Sequence, residues 1–437
     1  MTARTGVGPE RLWYHGWNIV AVAVLSQIAA NGLALNSMSL FLHDWASDLH
    51  APISQLLLAI LPFSAAVSIS SPFIGTLADK YPARLLFIPG LIGIAAFCLL
   101  ISMAVSVWQI WALYGGLFPL ALGLCSLSTA NAVVSRWFIR RIGLALGITA
   151  LGAALGGMIL PPIIALVMPL IGWRGVWRTA AFVIVLLVLP LVASVIRDKP
   201  SESDGLDYLR GGASHVHEGQ SQGAADANDL RWRSILKRKN FWLLVICYTP
   251  ILGLYGAVQQ NMAPIAAHHG FTQSTAGMLL AFFSVSQVFA TLLLGLSSDR
   301  FGNRLPLASL GVLITAGAAF LAFGNGLPAL ILGAALVGFT GGIWTLMPAA
   351  AAVEFGASGV GRAFGLLMLF LPISAAPPSL LAKIQEATGS YAPGLMGLSS
   401  ICLVGAAAVL FMRERRDKYP MAVETDAALE NGVNPLT

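Results

Sequence analysis

Apolar runs nearly free of charge recur along the chain near 17–42, 54–78, 86–105, 109–134, 143–170 and 176–196. A second set follows near 241–266, 275–298, 305–324, 329–353, 363–386 and 394–412. A helix needs about 20 residues to cross a bilayer core, whereas a strand of a membrane barrel needs about 10. The run lengths therefore predict an all-α integral membrane protein with twelve transmembrane helices. Between the two sets the pattern changes: 211–229 is rich in Gly, Ala, Ser, His, Gln and Asp and cannot bury a core, so a disordered linker is expected there. The predicted units are an N-terminal six-helix bundle (1–196), a linker (197–240), a C-terminal six-helix bundle (241–412) and a tail (413–437). The linker ends in the basic amphipathic stretch Arg231–Lys239, expected to lie on anionic lipid.

Composition agrees with lipid as the solvent. Of 437 residues, 57% are hydrophobic and only 10% charged, against about 25% charged in soluble domains. Cys98, Cys125, Cys247 and Cys402 each sit alone in an apolar run, so they read as packing residues rather than metal ligands. The first run is too long for a cleaved signal peptide and lacks a small-residue cleavage site, so it is expected to remain as helix 1. A net charge of +6 raises the question of nucleic acid, but the placement of the charges answers it. With a cytoplasmic N-terminus, 22 of the 25 Lys and Arg fall on the inner side. Only Arg174, Arg178 and Lys383 fall outside. By the positive-inside rule both termini are expected in the cytoplasm, with the chain multi-pass in the cytoplasmic (inner) membrane.

An internal repeat supports the two-bundle reading. Gly75-Thr-Leu-Ala-Asp79-Lys80-Tyr-Pro-Ala-Arg84 follows the second run, and Gly295-Leu-Ser-Ser-Asp299-Arg300-Phe-Gly-Asn-Arg304 follows the eighth. Glycine, acid, base and final arginine recur at one spacing. A second echo pairs Gly143-Leu-Ala-Leu-Gly147 with Gly361-Arg-Ala-Phe-Gly365. The bundles are thus expected to be pseudo-symmetric. A carboxylate at a helix N-terminus gains about 0.3–1 kcal/mol, which Asp79 can gain where it meets a neighbouring helix. A solvated charged turn is the alternative. Gly143, Gly147, Gly152 and Gly156 show G-x-x-x-G spacing, which allows close helix contact.

These two loops resemble the signature of the major facilitator superfamily, G-x-L-x-D-[RK]-x-G-[RK]-[RK]. The first copy departs at Pro82 and the second at Asn303. The resemblance spans about 15–415 and implies the major facilitator fold, alternating access, and a gating latch of Asp79, Lys80, Arg84, Asp299, Arg300 and Arg304. Within that superfamily, Arg136-Trp137-Phe138-Ile-Arg140-Arg141-Ile-Gly143-Leu-Ala-Leu-Gly147 and the opening Tyr14-His-Gly16-Trp17 are similar to the monocarboxylate transporter and oxalate:formate antiporter branch. That likeness implies secondary transport of a small organic acid, by proton symport or exchange. A cation in helix 8 is usual in the branch, but Thr291 stands at its place and Gln287 one turn earlier. A neutral or weakly charged metabolite is therefore the alternative solute.

In this superfamily helices 1, 4, 7 and 10 line the pathway, flanked by 2, 5, 8 and 11. Polar side chains at helical spacing in those runs are the candidate substrate contacts, because polar groups facing lipid are costly. They are Gln27, Asn31 and Asn36 on helix 1, Asn131 on helix 4, and Tyr248, Tyr255 and Gln259 on helix 7. Gln287 and Thr291 on helix 8 and Trp344 on helix 10 complete the set. The Pro161-Pro162 and Pro377-Pro378 pairs are expected to free backbone groups beside the pathway. No acid or histidine lies near mid-span. His43, Asp44, His268, His269 and Glu354 read as membrane-boundary residues. No convergent catalytic cluster, metal spacing, cofactor motif or phosphate loop occurs, so the expectation is a monomeric transporter with a small-molecule substrate, protons as a further partner, lipid around it and no nucleic acid. A non-transporting receptor or scaffold on the same fold is the rival from another class.

Overall fold

A computed structural model describes residues 15–138, 142–197, 232–355 and 360–412, and every element among them is helical. Ten segments are each long and apolar enough for a single crossing. They are α1 (His15–Asn36), α2 (Ile53–Ile74), α3 (Ala83–Ser102) and α4 (Val107–Ser135) in the first half. After two further helices come α7 (Lys239–Gln260), α8 (Gln273–Ser298), α9 (Arg304–Phe323), α10 (Gly326–Phe355), α11 (Arg362–Thr388) and α12 (Ala392–Val409). The remaining segment, Leu144–Val195, has 52 residues, about 78 Å of helix and over twice the bilayer core. It breaks at Gly172, whose φ of 70° only glycine adopts easily. The break divides it into α5 (144–171) and α6 (173–195), giving twelve crossings. Large apolar side chains such as Leu170, Leu186 and Phe411 stand exposed around the bundle, as a lipid-facing surface requires.

The halves α1–α6 and α7–α12 meet along α5 against α8 and α2 against α11. At one end α1 continues as the helix Met38–Asp48 and α7 as Met262–His268, and these tips pack together. The opposite end carries the two repeated loops and is called here the motif end. Inside the first half, Phe41, Trp45, Phe97, Phe118 and Trp177 stack into an aromatic core. At the tip, Asp48 accepts hydrogen bonds from Trp173 Nε1 (2.8 Å) and from Arg174. This clamp ties the end of α1 to the α5–α6 turn.

Helical geometry is interrupted in α1, α4, α10 and α11, and also in α6 at Ile184–Val188. α1 passes through a π-turn at Gly32–Asn36, α4 through another at Leu113–Leu117, and α10 through a 3-10 turn at Thr340–Gly342. α11 is broken into Val360–Met368, Leu371–Ser374 and Pro377–Thr388. Such irregular turns concentrate at functional sites.

Residues 198–231 lie outside the described set. Beyond them Ile235 is fully buried, Arg238 donates to the Glu354 carbonyl (3.0 Å), and Asn240 donates to the Glu354 carboxylate (2.8 Å). Arg238 therefore pins the start of α7 to the end of α10, while Lys237 and Lys239 remain exposed.

Candidate functional site

A cavity of about 670 Å³ lies between the halves, within the size range of small-molecule sites. Asn31 and Asn36 from α1, Tyr255, Gln259 and Gln260 from α7, Gln287 and Thr291 from α8, and Trp344 from α10 face it. α2, α5 and α11 add Ile60, Phe63, Ser64, Ala150, Leu371, Ser374 and Pro378. No Lys, Arg, His, Asp or Glu is among its described lining residues.

Hydrogen bonds sort the candidates. Asn36 Nδ2 donates to the Ala153 carbonyl (2.9 Å), while its Oδ1 accepts from Gln259 Nε2 across the seam (3.2 Å). Gln260 Nε2 crosses likewise to the Leu35 carbonyl (3.1 Å). These amides thus join the halves as well as lining the cavity. Asn31 Nδ2 is shared between the Gln27 carbonyl (3.1 Å) and Gln27 Oε1 (3.0 Å). Thr291 Oγ1 bonds back to the Gln287 carbonyl of its own helix (3.0 Å). The Gln287 amide makes no hydrogen bond to another described residue. Gly341 lets it sit there: a Cβ at that position would stand 2.8 Å from the Tyr255 ring and 2.9 Å from Gln287 Cγ. Trp344, 39% exposed, presents its indole to the open part of the cavity.

Three candidates lie elsewhere. Gln27 is buried behind Asn31 and donates to the Cys125 carbonyl (2.6 Å), joining α1 to α4. Tyr248 is fully buried against Trp344 and Met368, one layer behind the lining. Asn131 is absent from the described lining, and its Oδ1 is buried with no partner among the described residues. Conversely, the polar lining residues Ser64, Gln260, Thr345 and Ser374 fall outside the sequence selection. Gln260 and Ser374 carry buried oxygens, Oε1 and Oγ, without a hydrogen-bond partner among the described residues. Gln260 follows Gln259 directly in sequence, so helical spacing favours only one of the pair. Ser374 reaches the cavity because α11 breaks beside it.

At the motif end the two repeats turn differently. The α2 helix ends at Lys80, and Pro82 (φ −57°) starts α3 in extended geometry, whereas Gly302 (φ 78°) ends α8 in the left-handed region. Pro82 thus replaces the family glycine by changing the turn. Lys80 lies over the Tyr81 ring at 5.8 Å, and Arg304 donates to the Leu410 carbonyl within its own half. Arg84 and Arg300 are exposed beside these turns. The side chains of Asp79 and Asp299 lie outside the described set. At the opposite end the seam is closed by Gln273 Nε2 donating to the Leu40 carbonyl (2.9 Å) and by Ser54 N and Oγ donating to the Glu386 carboxylate (2.9 and 2.6 Å).

Two six-helix bundles around a solute-sized cavity, sealed at one end by hydrogen bonds that cross between them, form a membrane transporter. The chain belongs to the Major Facilitator Superfamily, which it matches over residues 22–260 and 253–427; its members transport solutes and are not enzymes. It is 27% identical over 361 residues to an MFS-type transporter of Gibberella moniliformis, covering 79% of each chain. It is 24% identical to the riboflavin transporter RibJ of Trypanosoma cruzi over 94% of this chain and 96% of that one. A shorter match, 34% over 137 residues, is to the fujikurins efflux protein of Gibberella fujikuroi, covering 30% of this chain and 28% of that protein. Among solved structures, a bacterial homologue of the human lysosomal transporter Spinster shares the fold, with a TM-score of 0.67 at 15% identity, covering 93% and 97% of the two chains.

Proposed function

We propose that the chain moves a small uncharged or weakly charged organic solute by alternating access, through the cavity around Asn31, Tyr255, Gln287 and Trp344. The carrying observation is the lining: amides, hydroxyls, a phenol and an indole among apolar side chains, with no described charge. Such walls suit a solute with an apolar body and a few hydrogen-bonding groups. The relatives named for riboflavin and for fujikurins make riboflavin a sensible first probe. The small organic acid of the monocarboxylate branch is the second reading, favoured by the Arg136–Gly147 run. Its carboxylate would rest on amides alone, each hydrogen bond to charge contributing about 1.5–3 kcal/mol. Proton coupling or exchange belongs to either reading. Reconstituted vesicles offered labelled riboflavin and lactate separate the two: uptake of the neutral probe, unchanged by excess lactate, supports the first. Lactate uptake without riboflavin uptake sinks it. The motif end is proposed to be cytoplasmic, on the charge split alone.

A further inference from the structure

Beyond the central cavity, toward the end sealed by Ser54 and Glu386, a second cavity of about 370 Å³ lies in the seam. Its polar walls come from both halves. His43 and Asp44 stand on the tip of α1, His268 on the tip of α7, Gln273 at the start of α8, Gln385 on α11, and Tyr391 just before α12. Ser39 also lines it, 1% exposed, with Oγ lacking a partner among the described residues. The central cavity has no described carboxylate or imidazole, whereas the seam cavity has both. We propose that the seam cavity is a proton-binding site, with the Asp44 carboxylate as acceptor, and that proton uptake there is coupled to closure of this end. The proposal deepens the alternating-access reading and rests on it.

The geometry gives the sign. Asp44 belongs to one half and much of its cavity wall to the other, so opening the seam returns the carboxylate to water. Closing removes part of that water, leaving Asp44 half-buried, which disfavours the charged form. Burial accordingly raises Asp44 from its ordinary value of 3.8; His43 opposes this and Asp48 adds to it. Asp48 is held by Trp173 and Arg174, with His50 beyond it. His269 bonds the Leu321 carbonyl (3.0 Å), Lys383 is exposed, and the Tyr391 phenol is pushed up by burial and by Glu386. His268 faces the cavity from the other half, its ring 5.6 Å from that of Tyr391. Because the closed arrangement holds the proton more tightly, closure is favoured at low pH and loses that support as pH rises through the raised value. Glu386 accepts both Ser54 hydrogen bonds at the edge of the seam.

The test is a spin-label distance between Val105→Cys and Ala387→Cys, both exposed and on opposite halves, in full-length protein in lipid nanodiscs. The four native cysteines are buried, so labelling is confined to the introduced pair. Lowering the pH from about 7 to about 4, into the range just above the ordinary 3.8, should raise the short-distance population at least about twofold. Asp44→Asn should show a high short-distance population with no pH slope. If that variant does not fold, His43→Gln serves, since removing the opposing imidazole should move the transition to higher pH. A flat wild-type profile overturns the proposal, as does an unchanged slope in Asp44→Asn or an unmoved transition in His43→Gln. A slope lost in Glu386→Gln but kept in Asp44→Asn assigns the sensor to Glu386 and also overturns it. The readout needs no solute, so failed uptake counts against the transport reading alone.

Discussion

The amides at the centre of the molecule differ in what their removal should cost. Gln287 carries no hydrogen bond to another described residue, whereas Gln27 holds the Cys125 carbonyl and receives Asn31. Gln287→Leu is therefore expected to leave the melting temperature near wild type and to weaken solute binding tenfold or more, about 1.4 kcal/mol. Gln27→Leu leaves buried partners unpaired and should destabilise by about 1–3 kcal/mol. Thermal melts with and without the transported solute separate the two. Equal melting losses in both variants would refute this division of roles. The sequence places Gln27 and Asn31 on one helical face four residues apart, so spacing alone does not show that one faces α4 and the other the cavity. Asp48 supplies a pH prediction of a different kind. Hydrogen bonds from Trp173 and Arg174 hold its carboxyl below the usual 3.8. A depressed folded-state value gives stability that is present above 3.8 and lost as pH falls through that lower value. Melting of the wild type should drop in that acid range, and Asp48→Asn should flatten the drop.

At the scale of elements, the small-residue rows of α5 are not equivalent. A Cβ on Gly156 would meet Gly32 Cα at 3.1 Å, whereas one on Gly147 meets nothing within 4 Å. The contact of α1 with α5 is thus built on Gly32, Gly152 and Gly156. Gly156→Leu should separate the helices and cost about 1–3 kcal/mol by overpacking, while Gly147→Ala should be neutral in a detergent melt. Similar losses for both would return the row to generic packing. Spacing announces the G-x-x-x-G pattern, but not which of its members has a helix against it. The crossings themselves were legible because hydropathy reports lipid contact directly, even across the turn at Gly172. The breaks in α11 were not, beyond the hint of Pro377-Pro378: which residues a broken helix turns inward depends on tertiary packing, and this brings Ser374 to the cavity.

At the scale of the whole molecule, the repeated loops mark one end and the hydrogen-bonded tips the other. The fold does not say which end meets the cytoplasm; the proposed orientation rests on the charge distribution, because Lys and Arg resist translocation during insertion. Exposed residues at the two ends make this measurable. Lys80 stands exposed at the motif end and Lys383 toward the other. All four native cysteines are buried, so a membrane-impermeant thiol reagent meets little background. Applied outside intact cells, it should label Lys383→Cys readily and Lys80→Cys only after the membrane is permeabilised. Lys237→Cys, exposed where the linker enters α7, should behave as Lys80→Cys does. The three sites are read together because inversion of the whole bundle reverses every one of them. Prompt labelling of Lys80→Cys and Lys237→Cys with a protected Lys383→Cys would invert the topology and would put the seam cavity, with Asp44, on the cytoplasmic side. Mixed labelling of all three would instead mean dual insertion, with the 22-to-3 distribution of Lys and Arg failing to orient the chain.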